Sequence, residues 1–287
     1  MLRYGHAVAK PKQLFGVLTR RGPHRVLRGD LAFAGLPGVV YTPESGMNLP
    51  GIAFGHDWLA GVGRYTGTLE HLASWGIVAA APGTETGIAP SVLNLAYDLG
   101  STLDIITGVR LGPGQISVHP NKLGLVGHGF GGSAAVFAAA GLGSGPKTVA
   151  ALFPSVSHPP AEEPAAGLRI PGLILAAPGH ELSFQSNADE LATAWSTATL
   201  RTVAKAQPGG LIEGFRVGRV VGLPGADRAT QKAVRALLTG YLLFQLTGDK
   251  TYKVFADADV VLPKTLEVAA DVEPPALEEK VVALLKG

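Results

Sequence analysis

The chain has 287 residues, of which 46% are hydrophobic and 16% are charged, and its formal net charge is +2. This composition excludes an intrinsically disordered protein, and the length suits one large α/β domain. Because the chain contains no cysteine, disulfides, thiolate metal sites and a cysteine nucleophile are also excluded.

The first predicted unit is basic. Seven basic residues precede the first acidic one, Asp30, and residues 1–8 lack the apolar core of a signal peptide. We predict a basic N-terminal arm at residues 1–30, which is either solvated or in contact with an acidic partner, a membrane surface or nucleic acid. No stretch of about 18 consecutive apolar residues occurs, so the sequence predicts a cytoplasmic protein that does not span a membrane.

Short apolar runs alternate with helical patterns through residues 31–255, which form the second predicted unit. Strands that are apolar throughout indicate a mostly parallel sheet covered by helices on both faces, which is the α/β class. Strands are predicted at residues 39–43, 51–55, 76–82, 123–126, 149–153, 173–177, 200–205 and 215–221, and helices at residues 65–75, 91–108, 133–140, 188–196 and 231–246.

The last predicted unit, residues 256–287, is acidic, with seven acids against three lysines. Its pattern predicts an extended stretch at residues 263–275 and a short amphipathic helix at residues 276–286. This helix either packs on its own domain or docks on a partner. A protein partner is therefore expected to bind through the N-terminal arm or through this C-terminal extension.

The most informative motif is Gly-His-Gly-Phe-Gly-Gly at residues 127–132, between a predicted strand and a predicted helix. A strand, a sharp turn and a helix are the setting of the G-x-S-x-G nucleophile elbow, which presents a serine hydroxyl to the substrate. Here the middle residue is Gly129, which has no attacking atom and tolerates the strained turn without a Cβ penalty. The spacing fits neither a dinucleotide fingerprint nor a Walker A loop, and no nucleic-acid module is present, so no cofactor and no nucleic acid are predicted.

Four segments between residues 37 and 255 resemble, in the same order along the chain, motifs of bacterial cutinase-like and dienelactone-hydrolase-like α/β-hydrolases. Residues 117–132 are similar to the family's D-P-x-R-[IL]-G-[VL]-x-G-H-S-M-G-G segment, and residues 55–61 stand where the family has its oxyanion-hole loop. Residues 69–78 resemble its L-A-S-x-G-F-V-V transition from helix to strand, and residues 170–177 resemble the strand before its catalytic acid. The resemblance implies an α/β-hydrolase fold, with a mostly parallel central sheet flanked by helices.

The resemblance also implies a triad in the order serine, acid and histidine, and this chain departs from it at all three positions. Gly129 stands at the serine position, and His180, followed by Glu181, stands at the acid position. The histidine position falls near Pro224, with Ala226 as the alternative, whereas His180 is the last histidine of the chain. Loss of such a triad costs about 10⁶-fold in the turnover of a serine protease.

Part of the family's site is nevertheless expected to remain. The N–H groups of Phe130 and of the loop at His56 and Asp57 are expected to converge on a small acyl or anionic ligand. Trp58 either forms a stacking wall of this pocket or fills it. The sequence therefore predicts a residual pocket that contains His56, Asp57, Trp58, His128, Phe130 and Glu181.

These observations favour a pseudohydrolase, a non-catalytic protein that acts by binding a ligand or a protein partner, with no metal and no cofactor. The first alternative is an esterase-like hydrolase with an unconventional set, with or without a divalent metal. The second is a structural subunit of a larger assembly, and Ser133 as a displaced nucleophile is a further alternative. The unconventional set would be drawn from His56, Asp57, His128, His180 and Glu181.

Overall fold

Eight strands form a single mixed sheet in the computed structural model of the protein, which describes residues 10–143, 145–214 and 225–266. The strands are β1 (Val26–Asp30), β2 (Gly38–Pro43), β3 (Gly46–Gly55), β4 (Val78–Pro82), β5 (Ile116–His128), β6 (Thr148–Leu152), β7 (Gly172–Ala176) and β8 (Ala198–Thr202). Their order across the sheet is β1-β2-β4-β3-β5-β6-β7-β8. β2 pairs antiparallel with β1 and β4, and the other neighbouring strands pair in parallel.

Helices cover both faces of the sheet. They are α1 (Pro11–Leu18), α2 (Thr66–Ser74), α3 (Val92–Gly108), α4 (Phe130–Leu142), α5 (Glu162–Ala165), α6 (Ala188–Ala194) and α7 (Arg228–Thr247). The buried side chains of α1, α2 and α7 belong to one apolar cluster, and those of α3 to α6 belong to the cluster on the opposite face. The predicted α/β class is therefore confirmed. Within the described residues, no helix has the length and apolar character needed to cross a membrane.

The strands predicted between residues 39 and 177 and the helices predicted between residues 65 and 246 are all present, with ends that differ from the predicted ones. β3 and β5 begin earlier in the chain than predicted, because their first residues are partly exposed and do not continue the apolar run. The strand predicted at residues 215–221 and the helix predicted at residues 276–286 lie outside the described residues. A role of residues 256–287 in partner binding stays a prediction.

Residues 10–30, the described part of the predicted basic arm, pack against the rest of the domain. α1 has Leu14, Phe15 and Leu18 buried in the same cluster as α7. β1 then forms the edge of the sheet beside β2. This part of the chain is therefore integrated into the core, because its apolar residues, one helical turn apart, form a buried face between the charged positions.

The chain reverses its direction across the sheet between the neighbouring strands β3 and β5. After β3 it passes through α2 to β4, and after β5 it passes through α4, on the opposite face, to β6. In open α/β sheets, ligands bind in the crevice outside the carboxyl ends of the strands at such a topological switch point. The residues that follow β3 and β5, from His56 and from Gly129 onward, lie at this crevice.

Candidate functional site

Gly129 occupies the sharp turn between β5 and α4. Its backbone angles are φ 52° and ψ −118°, in a region that favours glycine. The turn is fixed on both sides, because the N–H of Gly129 donates to Leu152 O at 2.9 Å and the N–H of Gly132 donates to Gly129 O at 2.9 Å. A residue with a side chain adopts this conformation only at a cost of about 1–3 kcal/mol.

The glycines on either side of Gly129 let α4 approach the sheet closely. A Cβ on Gly127 would overlap the backbone of Gly131, and a Cβ on Gly131 would overlap the backbone carbonyls of Gly55 and His56. The two positions therefore exclude side chains for a reason of packing. At Gly129, by contrast, a Cβ would overlap the carboxylate of Asp57.

The Asp57 carboxylate occupies the anion-binding position at the start of α4. Its Oδ1 accepts a hydrogen bond from the Phe130 N–H at 2.9 Å and another from the Trp58 N–H at 2.8 Å. Two backbone N–H groups that converge at a helix N-terminus form an anion site. A side chain of the same chain is therefore bound to N–H groups at the place where the sequence predicts a small acyl or anionic ligand.

His128 is buried and belongs to a chain of hydrogen bonds that reaches the loop of Asp57. Its Nε2 is 2.9 Å from Pro208 O, and because a carbonyl only accepts, Nε2 carries the hydrogen. Nδ1 then accepts from the Tyr65 hydroxyl at 2.8 Å, and this hydroxyl accepts from the Asp57 N–H at 3.0 Å. Burial lowers the pKa of His128 despite the nearby charge of Asp57. The neutral ring thus positions the Asp57 loop through the Tyr65 hydroxyl.

His56 is also fully buried. Its Nδ1 is 2.9 Å from the carbonyl of Asp57, and its Nε2 is 2.7 Å from the carbonyl of Thr84. The ring therefore joins the loop after β3 to the segment after β4. Because both ring nitrogens contact backbone carbonyls, His56 has a structural role and stabilises the loop that carries Asp57 and Trp58.

A cavity of about 550 Å³ opens beside Gly129 at the carboxyl ends of the strands. Asp57 and Trp58 line it after β3, and Trp58 is 53% exposed, so its ring does not fill the space. The remaining lining residues are residues 153–156, 177–180, 183, 185, 186 and 208. The volume lies within the range of about 300–1,000 Å³ that small-molecule sites have.

His180 also lines the cavity, but both of its ring nitrogens are in contact with carboxylates. Its Nδ1 is 2.8 Å from Ala177 O and 3.2 Å from Glu181 Oε2, and its Nε2 is 3.0 Å from Asp189 Oδ1. Burial of the ring opposes protonation, but the hydrogen bond and charge of Asp189 lead the contacts that outweigh it and raise the pKa of His180. The two carboxylates thus favour the protonated, charged form of His180.

This cluster predicts a pH-dependent effect of Asp189→Asn on stability. The pKa of His180 is raised in the folded state, so the stabilisation is fully present below the unfolded value of about 6.5 and is lost as the pH rises through the folded value. We expect the substitution to lower the free energy of unfolding by about 1 kcal/mol near pH 5.5 and by less near pH 8.5. Urea unfolding of both proteins at the two pH values measures this difference.

The exposed Asp104 on α3 provides the control, because Asp104→Asn removes the same charge away from His180. Its effect on the free energy of unfolding should differ little between the two pH values. An Asp189→Asn effect that grows as the pH rises would contradict the assignment of His180 as the charged partner.

Ser133, Pro224 and Ala226 are the other residues that the sequence analysis considered for the site. Ser133 is buried, and its hydroxyl donates to Ser155 O at 2.7 Å, so it does not face the cavity. Pro224 lies outside the described residues, and Ala226 carries no titratable group. Among the described residues, no group of three or more histidine, aspartate or glutamate side chains is arranged to hold a metal ion.

Sequence reasoning placed Asp57, Trp58, Gly129 and His180 at one site, and all four line the cavity. His56 and His128 lie below it, and Phe130 contributes its backbone N–H. The roles of Tyr65, Asp189 and the cavity serines were not predicted from the sequence. No sequence motif marks these residues, since the fold determines which of them reach the cavity or its neighbours. The serines that line the cavity are Ser155, Ser183 and Ser186.

No family model matches the chain, and no curated protein matches it.

Proposed function

We propose that this protein is a non-catalytic relative of α/β-hydrolases that binds a small ligand in the cavity beside Gly129. The observation that carries the proposal is the Asp57 carboxylate, whose Oδ1 accepts the N–H groups of Phe130 and Trp58. The turn between β5 and α4 and the resemblance of residues 117–132 to the hydrolase motif support the relationship. In an active hydrolase, two such N–H groups stabilise the negative oxygen of the tetrahedral intermediate.

Acyl transfer also needs a nucleophile and a base, and the geometry opposes both of them. Gly129 has no hydroxyl to attack a carbonyl, and a serine in its place would overlap Asp57. A base must lie within hydrogen-bonding reach of the nucleophile. His180 instead contacts Ala177 O, Glu181 and Asp189. The cavity therefore has the features of a binding site without those of a serine hydrolase.

The serines of the cavity do not replace the missing nucleophile. Ser183 Oγ accepts from the N–H of Gln185 at 3.2 Å, and Ser186 Oγ accepts from the N–H of Ala188 at 3.3 Å. In the described part of the chain, none of the three cavity serines is hydrogen-bonded through its hydroxyl to a histidine. An unactivated serine hydroxyl is a weak nucleophile at neutral pH.

Covalent labelling and ester turnover test the proposal together. We expect no adduct of a fluorophosphonate probe by intact-protein mass spectrometry and no hydrolysis of p-nitrophenyl butyrate above the buffer rate. A serine esterase assayed in parallel confirms both reagents. An adduct on a cavity serine, or saturable turnover, would overturn the proposal. Turnover that requires added zinc and is lost in His180→Ala would support the metal-assisted alternative instead.

A further inference from the structure

The charges of the cavity point to the class of its ligand. Asp57 and His180 are its titratable lining residues in the described part of the chain, and no lysine or arginine lines it there. The ring of His180 faces two carboxylates, Glu181 at 3.2 Å and Asp189 at 3.0 Å. When this ring is protonated, its charge is therefore balanced locally, and no lysine or arginine of the described residues faces the Asp57 carboxylate across the cavity.

Asp57 also has an oxygen that the backbone does not use. Oδ1 accepts both N–H groups, whereas Oδ2 is 3.9 Å from His128 Nδ1, which already accepts from the Tyr65 hydroxyl. The side chain is 25% exposed and lines the cavity. Oδ2 can therefore accept a hydrogen bond from a ligand, and a carboxylate acceptor binds a charged donor more strongly than a neutral one.

The same geometry opposes an anionic ligand. The N–H groups that would bind an anion are occupied, and an anion that entered the cavity would meet the Asp57 carboxylate at short range. The apolar part of the lining consists of aromatic, aliphatic and proline side chains, including Trp58, Phe153 and Val156. An indole beside a carboxylate suits an organic cation, because the faces of aromatic rings attract positive charge.

We propose that the cavity binds an organic ammonium ion with an apolar body, with the nitrogen at Asp57 Oδ2 and the body against Trp58, Phe153 and Val156. This inference rests on the proposed function, in which the site binds a ligand and does not transform it. It replaces the acyl or anionic ligand that the sequence suggests, because the carboxylate stands where the anion of such a ligand would bind.

Three probes of similar size and different charge test this inference: phenethylammonium chloride, 2-phenylethanol and 3-phenylpropionate. In calorimetric titrations of the full chain at neutral pH, we expect phenethylammonium to bind about tenfold more tightly than 2-phenylethanol. The carboxylate probe should bind more weakly than the alcohol. Asp57→Asn keeps an oxygen for the two N–H groups and removes the charge, so it should bring the ratio of the ammonium to the alcohol affinity close to one. Asp104→Asn, which changes the same residue type outside the cavity, should leave the ratio unchanged.

The possible outcomes separate the two proposals. Equal affinity for the ammonium and the alcohol, or a preference that survives in Asp57→Asn, would overturn the charge assignment and leave the binding function standing. Tightest binding of 3-phenylpropionate, or binding of none of the three probes, would also overturn it. The non-catalytic proposal itself is overturned only by the labelling and turnover assays, which do not depend on these affinities.

Discussion

Replacing Gly129 by serine is expected to destabilise the protein by about 3 kcal/mol and to produce no esterase activity. The new Cβ would stand in a turn with φ 52° and would overlap the Asp57 carboxylate. To relieve the overlap, Asp57 must leave the N–H groups of Phe130 and Trp58, and both groups then lose their acceptor. Urea unfolding gives the change in stability, and p-nitrophenyl butyrate hydrolysis gives the activity.

The control for this variant is Gly61→Ser. Gly61 has an ordinary φ of −61°, and nothing lies within 4 Å of a Cβ at this position, so we expect a change near zero. A double-mutant cycle with Asp57→Ala identifies the cause, because Gly129→Ser should cost at least about 1 kcal/mol less when the carboxylate is absent. Additive effects, or a Gly129→Ser protein that hydrolyses the ester, would contradict the account.

The second large effect is expected for Gly131→Ala, which should lower the free energy of unfolding by about 3 kcal/mol. A Cβ on Gly131 would overlap the carbonyl groups of Gly55 and His56, which are backbone atoms held in or directly after β3. The overlap can be relieved only if α4 moves away from the sheet. Such a movement also displaces the turn at Gly129 and the N–H of Phe130.

Gly141→Ala provides a matched control on the same helix. Nothing lies within 4 Å of a Cβ on Gly141, and alanine favours a helix over glycine by about 0.5–1 kcal/mol, so this variant should be as stable as the parent or more stable. The free energies of unfolding of the two variants, measured by urea titration, should therefore change in opposite directions or differ by several kcal/mol. Similar stabilities of Gly131→Ala and Gly141→Ala would show that α4 does not pack against the backbone of Gly55 and His56 at short range.

The sequence predicted the parallel core well because its central strands are buried on both faces. Residues 78–82 and 172–176 are buried throughout, so their apolar runs are unambiguous. The edge was harder to predict. β1 is partly exposed along its length, and α1 is short and flanked by basic residues, so charge obscured the spacing of Leu14, Phe15 and Leu18.

The sequence could predict where the site lies, but not which side chain is bound to its N–H groups. The glycine pattern located the turn at Gly129, since a strand-to-helix turn has a local signature. The occupation of the anion position depends on one rotamer of Asp57, 73 residues before Phe130 in the chain. No local pattern specifies such a contact, and the adjacent Tyr65 and His128 act on it only through the fold. The sequence therefore predicted converging N–H groups and missed their partner.

A high-resolution crystal structure of the unmodified chain tests the central claim most directly. We expect electron density for the Asp57 carboxylate between the N–H groups of Phe130 and Trp58, with Oδ1 within hydrogen-bonding distance of both nitrogens. Density for a water molecule or an external anion on those two nitrogens, with the Asp57 side chain turned away, would show an open oxyanion site and contradict the account.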